Sequence, residues 1–424
     1  MKFLKRVIGS GKKVSELMLA LDIGTEVVKV LIFKVDPEQE KAIIIGEGTA
    51  KQRLGSMTAG VVSDIESVIA TCQQAISQAE SQGGVVGVRD TVIGIAGELV
   101  KGTTTTVHYE RANPNMPIDL PELRNILQKV QWKAFDRIKK QLAWETGQEV
   151  VDVHLINADI VRGRIDGHHR ITNPIDFTGR NVSISIFNAY APMIHLNALQ
   201  KIGDELGLNI VDIAAEPYAI AQSMSVYNNP EFGAIIIDIG GGTTDVAVVR
   251  NGGLEGTVMF ALGGQAFTKR LAKFFGVSFS EAEQIKLKYS TEQVKSEWSI
   301  KIDKLFRDDI AVWMSGLEIA LQSFCGIGVL PSKVYLCGGG SGLPGIRDAL
   351  LSGTLNKSLP ISDVLQVSYL HPKDISNVLD NTGKLVTPQL MAVSSLVSHA
   401  INIKFRGDKI IDDVLRRAVK ILQN

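Results

Sequence analysis

The chain has 424 residues, of which 45% are hydrophobic and 21% charged, a composition typical of a globular protein with more than one lobe. Lysine plus arginine and aspartate plus glutamate number 45 each, so no nucleic-acid-binding surface is expected. The three cysteines lie far apart without metal-ligand spacing, which favours a reducing cytoplasm. No apolar run is long enough to span a bilayer, so any membrane contact is expected to be peripheral.

The two ends of the chain share an amphipathic, basic pattern. MKFLKRVI has its apolar residues on one helical face and its lysines and arginine opposite, which predicts a basic amphipathic segment over 1–13. The last residues, 406–424, repeat this pattern and predict an amphipathic helix. Two alternatives stay open: a disordered tail for the first segment, and a docked helix that completes the core for the second.

The first strand pair surrounds a short polar turn. LALDIGTEVVKVLIF places Asp22, Gly24 and Thr25 between two apolar strands. Lys29, on the strand leaving the turn, can reach a phosphate if its face borders a cleft, and is otherwise a solvated lysine. Residues 64–82 then have apolar side chains at helical spacing, with Asp64 as the predicted N-cap.

The next third of the chain mixes strands and helices. DTVIGIAGELV reads as a strand, and a helix follows from Leu120, where Pro121 fits the first turn. The segments VVDVHLINADIV, NVSISIFNAY and NIVDIAA are strand-like, MIHLNALQKIGDELGL is helical, and a short helix begins near EPYAIAQSM.

A triple glycine in the middle of the chain is the strongest local signal. IIIDIGGGTTDVAVV has two buried-type strands around Gly240, Gly241 and Gly242, so backbone N–H groups could converge on a phosphate. A hairpin without a ligand is the simpler alternative. Asp238 repeats the position of Asp22, and two carboxylates beside phosphate are expected to act through water-bound Mg²⁺.

A third glycine-rich turn follows three helical segments at about 264–275, 279–289 and 303–323. YLCGGGSGLPGI is a strand that runs into Gly338, Gly339, Gly340 and Ser341, which allows close approach to a base and ribose. A flexible linker is the alternative for this motif alone. TPQLMAVSSLVSHAIN is the last regular element, a helix.

These three turns, in this order, resemble the two phosphate motifs and the adenosine motif of the actin-like ATPase superfamily. The helices AAEPYAIAQSM and TPQLMAVSSLVSHA stand where that superfamily has its connecting helices. The resemblance implies an α/β actin-like ATPase fold: two lobes on five-stranded mixed β-sheets flank a cleft that binds ATP and Mg²⁺.

Within the superfamily, residues 18–403 resemble the family of the bacterial cell-division protein FtsA, which carries an inserted α+β subdomain in its first lobe. IIGEGTAKQRLGSMTAGVVSDIESVIATCQQAISQAE and the N-P-x-x-x-x-G segment NPIDFTG carry this likeness. The implied organisation is an N-terminal segment 1–13, first lobe 14–88 and 181–232, insertion 89–180, second lobe 233–387, connecting helix 388–405 and C-terminal helix 406–424.

The resemblance also implies roles for three charged residues. SEAEQIKLKYS matches the helix beside the nucleoside, so Glu283 and Lys286 are expected to contact ribose and base; solvated surface charges are the alternative. Glu216 stands in an E-P pair similar to that of PilM and DnaK-type chaperones, and with Asp238 it is the expected catalytic residue. A first-turn helix carboxylate before Pro217 is its alternative role.

The predicted site combines the motifs. Its metal residues are Asp22 and Asp238, and its nucleotide residues are Asp22, Gly24, Thr25, Lys29, Asp238, Gly240, Gly241, Gly242, Thr243, Asp245, Glu283, Lys286, Gly338, Gly339, Gly340 and Ser341.

The implied function is that of an FtsA-like protein that binds ATP, polymerises at the cytoplasmic membrane face and anchors FtsZ, through its C-terminal peptide, in the division septum. A PilM-like ATP-binding adaptor of type IV pilus assembly is the alternative, and a small-molecule kinase of the same fold is a third reading. The motifs contain no His–carboxylate pair, so at most slow ATP hydrolysis is expected.

Overall fold

A computed structural model of the chain describes residues 16–97, 100–147, 152–167, 173–224, 229 and 231–405. The predicted terminal segments 1–13 and 406–424 lie outside these residues.

The described residues form strands and helices that alternate along most of the chain. The strands are β1 Leu17–Ile23, β2 Val27–Asp36, β3 Lys41–Lys51, β4 Met57–Thr58, β5 Val61–Val62, β6 Asp90–Ile95, β7 Lys101–Glu110, β8 Val153–Ile165, β9 Asn181–Pro192, β10 Asn209–Ala215, β11 Ala234–Ile239, β12 Thr244–Arg250, β13 Gly253–Phe260, β14 Lys333–Cys337, β15 Gln366–Tyr369 and β16 Val378–Asp380. The α-helices are α1 Ile65–Gly83, α2 Leu120–Thr146, α3 Met193–Glu205, α4 Glu216–Ser223, α5 Gly264–Phe275, α6 Phe279–Ser290, α7 Ser296–Gln322, α8 Ile346–Leu351, α9 Thr354–Ser358 and α10 Met391–Phe405.

The first lobe is built on a sheet with the strand order β10-β6-β1-β2-β3-β16. Strands β1, β2 and β3 form an antiparallel meander, whereas β6, β10 and β16 join it in parallel. Both faces are covered, as mixed sheets of α/β proteins require. Helix α1 crosses β3 closely: a Cβ at Gly46 or Gly48 would lie under 3.0 Å from the backbone of Ala79 or Ala75.

Local sequence signals explain where helix α1 begins. The Asp64 side chain accepts a hydrogen bond from the Ser67 backbone N–H at 3.1 Å, so the predicted N-cap is confirmed. The helix ends at Gly84, whose φ of 62° favours glycine. The side chains of Val68, Cys72 and Ile76 are buried in the core of the first lobe.

The second lobe is built on β15-β14-β11-β12-β13, which continues without interruption into β7-β9-β8. Strands β11, β12 and β13 form an antiparallel meander like that of the first lobe, and β14 pairs with β11 in parallel. Helices α5, α6 and α7 cover one face around Phe267, Phe306 and Trp313. The predicted helices over 264–275 and 279–289 are observed, whereas α7 begins before the predicted residue 303.

The inserted subdomain consists of β7, β8, β9 and helix α2. Apolar residues of α2 pack on β9 in two clusters, around Ile126 and Ile184 and around Ile138 and Tyr190. Among the described residues, strand pairing between the insertion and the second lobe is limited to two residue pairs, between β7 and β13. On its other face, Phe187 stacks on Tyr218 of α4 with ring centroids 5.3 Å apart.

The sheets depart from the predicted organisation at three places. Strand β6, expected in the insertion 89–180, lies between β1 and β10 in the first sheet. Strand β9, expected in the first lobe because it lies wholly after residue 180, pairs with β7 and β8 of the insertion along its whole length. Strand β16, expected in the second lobe, pairs with the free edge of β3. The sheet of the first lobe therefore has six strands in place of the expected five, whereas the second lobe contributes the expected five strands to a sheet of eight that the three strands of the insertion complete.

Among the described residues, no helix combines the length and the apolar composition that crossing a bilayer requires.

Candidate functional site

The first turn brings a carboxylate and an ammonium group together on neighbouring strands. Asp22 on β1 lies opposite Lys29 on β2 in the antiparallel register. Lys29 Nζ donates a hydrogen bond to Asp22 Oδ2 at 2.7 Å, and the two side chains are only 14% and 3% exposed. The face of β2 that bears Lys29 is therefore turned toward the acidic site and not toward bulk solvent.

The second turn has the same geometry in the other lobe. Asp238 on β11 lies opposite Asp245 on β12. The Gly240 N–H donates to the Thr243 carbonyl at 2.9 Å and closes the turn. The Thr243 hydroxyl donates to Asp245 Oδ2 at 3.2 Å. The predicted motif residues thus form one compact turn, with two carboxylates at its base.

The two turns contact each other directly. A Cβ on Gly241 would lie 2.6 Å from Glu26 Cβ, and one on Gly242 would lie 2.9 Å from Thr25 Cγ2. Gln265 Nε2 donates to Glu26 Oε2 at 2.7 Å across the same interface. Close packing of the two turns therefore requires glycine at 241 and 242. The sequence alone indicated only that these glycines allow approach to a phosphate.

Four carboxylates form one cluster, and three of them interact with the ammonium group of Lys29. Burial raises the pKa of Asp238 to about 6, with Lys29 opposing and Asp22 adding to this shift. Burial and the charge of Asp238 raise the pKa of Asp245 to about 8, against the hydrogen bond from Thr243.

The fourth carboxylate is Glu216, at the start of α4. Its side chain lies so close to β6 that a Cβ at Gly94 would be 2.5 Å from Oε1. Burial, and then the charges of Asp22 and Asp238, raise its pKa well above the ordinary value. For Lys29, burial lowers the pKa, but the charge and hydrogen bond of Asp22 outweigh it and the net pKa is raised.

The donor set at this site fits a hard divalent cation. Oxygen ligands and retained water are what Mg²⁺ prefers, and raised carboxylate pKa values mark a place where added positive charge is favourable. Among the described residues, no three His, Cys, Asp or Glu side chains converge closely enough to form a metal cage by themselves.

Helices α5 and α6 place a second charged group beside the triple glycine. Lys286 Nζ donates to the Gly264 carbonyl at 3.0 Å and to the Thr268 hydroxyl at 2.8 Å, and lies 2.8 Å from Glu283 Oε2. The Gly264 N–H in turn donates to the Gly240 carbonyl at 2.9 Å. Glu283 and Lys286 are thus nearly buried, and the alternative of solvated surface charges does not describe them.

The third turn packs on the base of the second. Gly338 has φ +80°, and a Cβ there would overlap the Asp238 carboxylate. The Ser341 hydroxyl donates to the Gly338 carbonyl at 2.7 Å and tightens the turn. The Cβ direction of Gly339 meets only Gln389, at 3.7 Å. The alternative of a flexible linker does not describe this motif, which is a 3₁₀ turn over Gly339–Gly342.

The structure adds residues that the motifs did not indicate. Glu26 and Gln265 join the two turns, and Thr268 connects Lys286 to Glu283. The Gly263–Gly264 pair after β13 is the sequence feature that could have indicated these contacts. A Cβ at Gly263 would lie 2.7 Å from the Gly240 carbonyl oxygen.

Comparison with known protein sequences finds similarity to FtsA proteins. The family described as "Cell division protein FtsA" matches residues 235–376. FtsA of Pseudomonas aeruginosa is 26% identical over 289 residues, which are 68% of this chain and 63% of that protein. FtsA of Bacillus subtilis is 24% identical over 382 residues, 86% of this chain and 82% of that protein. The match thus spans less than two thirds of the length of the P. aeruginosa relative, and more of the B. subtilis one.

Among solved structures, the PilM-PilN type IV pilus biogenesis complex is similar over 91% of this chain and 98% of that chain, with a TM-score of 0.64 and 16% sequence identity. This likeness concerns the fold. The chain therefore has the predicted actin-like fold, and the predicted resemblance to FtsA is confirmed.

Proposed function

We propose that this relative of FtsA works in bacterial cell division as an ATP-binding, actin-like protein that polymerises at the cytoplasmic membrane face and anchors FtsZ there. The observation that carries the nucleotide-binding part is the contact between two hairpin turns, one from each lobe, above an acidic cluster. The matches to FtsA proteins carry the assignment to cell division.

The proposed nucleotide site uses both turns. Asp22 and Asp238 hold Mg²⁺ through water, while Thr25, Lys29 and the backbone of the second turn bind phosphates. The bound cation and nucleotide would supply the charge balance that the acidic cluster lacks. The backbone turn comprises Gly240, Gly241, Gly242 and Thr243, with Gly24 and Asp245 supporting the two turns.

Glu283, Lys286 and the third turn form the proposed nucleoside side of the site. Lys286→Met is expected to weaken binding of ATP and ADP alike, because this lysine holds Gly264 and Thr268 beside the triple glycine. Lys288→Met, on the same helix but exposed, is the matched control. Equal affinities of the two variants for both nucleotides would contradict the assignment.

ATP hydrolysis is proposed to be slow. Glu216 is the candidate general base, but burial and the charges of Asp22 and Asp238 raise its pKa, which makes it a weaker candidate until positive charge is bound nearby. Asp238 has a pKa of about 6 and is better suited to holding a cation. We therefore assign the site primarily to nucleotide-dependent switching between two conformations of the lobes.

Attachment to FtsZ is tested with peptides. A labelled C-terminal peptide of FtsZ is titrated with the full chain, and a peptide of a pilus inner-membrane protein serves as the comparison. Binding of the FtsZ peptide alone is expected. Binding of the pilus peptide alone would replace the proposal with the PilM-like adaptor function.

Membrane attachment is assigned to the terminal amphipathic segments, which lie outside the described residues. Co-sedimentation with liposomes containing anionic lipid compares the full chain with versions lacking 1–13 or 406–424. Loss of binding on deleting at least one segment is expected. Unchanged lipid binding in both deletions would contradict this part of the proposal.

A further inference from the structure

A large cavity lies between the inserted subdomain and the second lobe. Its volume is about 890 Å³, and its walls come from β7, β8, β9 and α2 on one side and from β13 and α7 on the other. Neither the nucleotide site nor the proposed membrane segments use these residues. We call this cavity the β7 groove.

Strand β7, whose Thr104, Thr106 and His108 line the groove, has one edge with few strand partners. Strand β7 pairs with β13 only at Gly102 and Thr103, and the Thr104 hydroxyl then donates to the Leu254 carbonyl at 2.5 Å. From 105 to 110, β7 pairs with β9 alone within the described part of the chain. An edge of this kind presents unpaired backbone donors and acceptors to an added strand. Its six residues correspond to about 20 Å of extended chain.

Some of the charged residues that line the groove form ion pairs with each other. Lys101 pairs with Glu145 at 2.8 Å, and Arg162 pairs with Glu255. These two pairs use both carboxylates that line the cavity.

Two arginines remain on the walls without a carboxylate. Arg137, on α2, and Arg164, on β8, have no ion pair among the described residues, and both are exposed. Buried Arg162 Nε also lacks a hydrogen-bond partner there. The groove therefore carries two uncompensated positive charges and an unused donor, which favour a negatively charged occupant.

The remaining walls suit a peptide better than a small anion. Hydroxyl groups line the sheet face, where Thr106 and Ser185 hydroxyls lie 2.7 Å apart. Across the cavity, α7 contributes Ile319, which is 69% exposed, and the turn after α7 contributes the ring of Phe324. An extended segment places alternate side chains on opposite sides, so acidic ones can meet the arginines while apolar ones meet α7.

We propose that the β7 groove binds an acidic, extended segment of a partner protein as an added strand on the free edge of β7. Backbone hydrogen bonds to residues 105–110 supply affinity, and Arg137 and Arg164 select negative charge.

The test uses a fluorescein-labelled peptide of five Glu-Val repeats and fluorescence anisotropy with the full chain. Two comparison peptides have Lys in place of Glu, or Pro in place of each Val, which removes the strand donors. The acidic Glu-Val peptide is expected to bind, the other two not. In the variant Arg137→Glu/Arg164→Glu, affinity for the acidic peptide is expected to fall by about tenfold or more, with a gain for the Lys-Val peptide.

Arg347→Glu, an exposed arginine on α8 away from the groove, is the matched control and should leave binding unchanged. Thermal unfolding verifies that the double variant is folded. The proposal is overturned if the proline peptide binds as well as the Glu-Val peptide, since strand addition is then not used. It is equally overturned if the wild type binds no acidic peptide, or if the double variant binds it as the wild type does.

Discussion

Replacing Lys29 by methionine removes the only ammonium group in the acidic cluster of the first turn. The Lys29–Asp22 pair is 2.7 Å long, with side chains 14% and 3% exposed. Loss of one partner of a buried ion pair costs about 3–5 kcal/mol, because the other charge stays buried and unpaired. Protonation of the remaining carboxyls limits this penalty, so we expect a loss of about 3 kcal/mol in unfolding free energy at pH 8, and less at pH 5.

Urea unfolding of the nucleotide-free protein measures this loss, and a double-mutant cycle assigns it to the pair. Adding Asp22→Asn to Lys29→Met is expected to recover most of the stability, because the unpaired charge is then gone. Lys51→Met is the matched control: its pair with Glu26 spans 3.3 Å and its side chain is 53% exposed, which predicts a loss of about 0.2–1 kcal/mol. Equal losses for the two lysines, or no recovery in the double variant, would refute the reasoning.

Three further predictions concern other parts of the fold. Gly338→Ala is expected to lose more than about 2 kcal/mol of stability, because φ is +80° and a Cβ would overlap Asp238. In the control variant Gly342→Ala the added Cβ meets open space, so thermal unfolding should show almost no change. Similar losses in both variants would contradict this prediction. Burial raises the pKa of Cys72 to about 12, so iodoacetamide at pH 8 should alkylate the partly exposed Cys325 first. Mass spectrometry measures the two alkylation rates, and equal rates would be inconsistent with a buried Cys72 thiol. Burial lowers the pKa of His195, so the unfolded chain binds a proton there more readily than the folded one, and stability falls as the pH drops through 6.5. The stability of His195→Gln relative to the wild type should therefore rise between pH 7.5 and pH 5. A stability difference that stays constant over this range would count against the prediction.

The local motifs could be predicted from sequence because their signals span few residues. The hairpins around Asp22 and Asp238 follow from apolar strands that flank glycine and carboxylates, and α1 follows from its N-cap and helical spacing. The structure brings the predicted turns together. The turn-to-turn contacts of Glu26 with Gly241 and Gln265 were not predictable, because they join residues more than 200 positions apart.

The partition of strands between the sheets could not be predicted from sequence either. The composition of β6 fits either the first sheet or the insertion, so it does not indicate which of them the strand joins. Its place depends on its parallel partners β1 and β10. The two-residue junction of β7 with β13 likewise has no local signal. Register between distant strands is set by packing of the assembled lobes.

Nucleotide binding by the acidic cluster is the central claim, and isothermal titration of the full chain with ATP in the presence and absence of Mg²⁺ tests it most directly. We expect Mg²⁺-dependent binding in the wild type and in Asp308→Asn, an exposed control on α7, and loss of the Mg²⁺ dependence in Asp22→Asn and Asp238→Asn. Wild-type affinity and Mg²⁺ dependence in both site variants would contradict the claim.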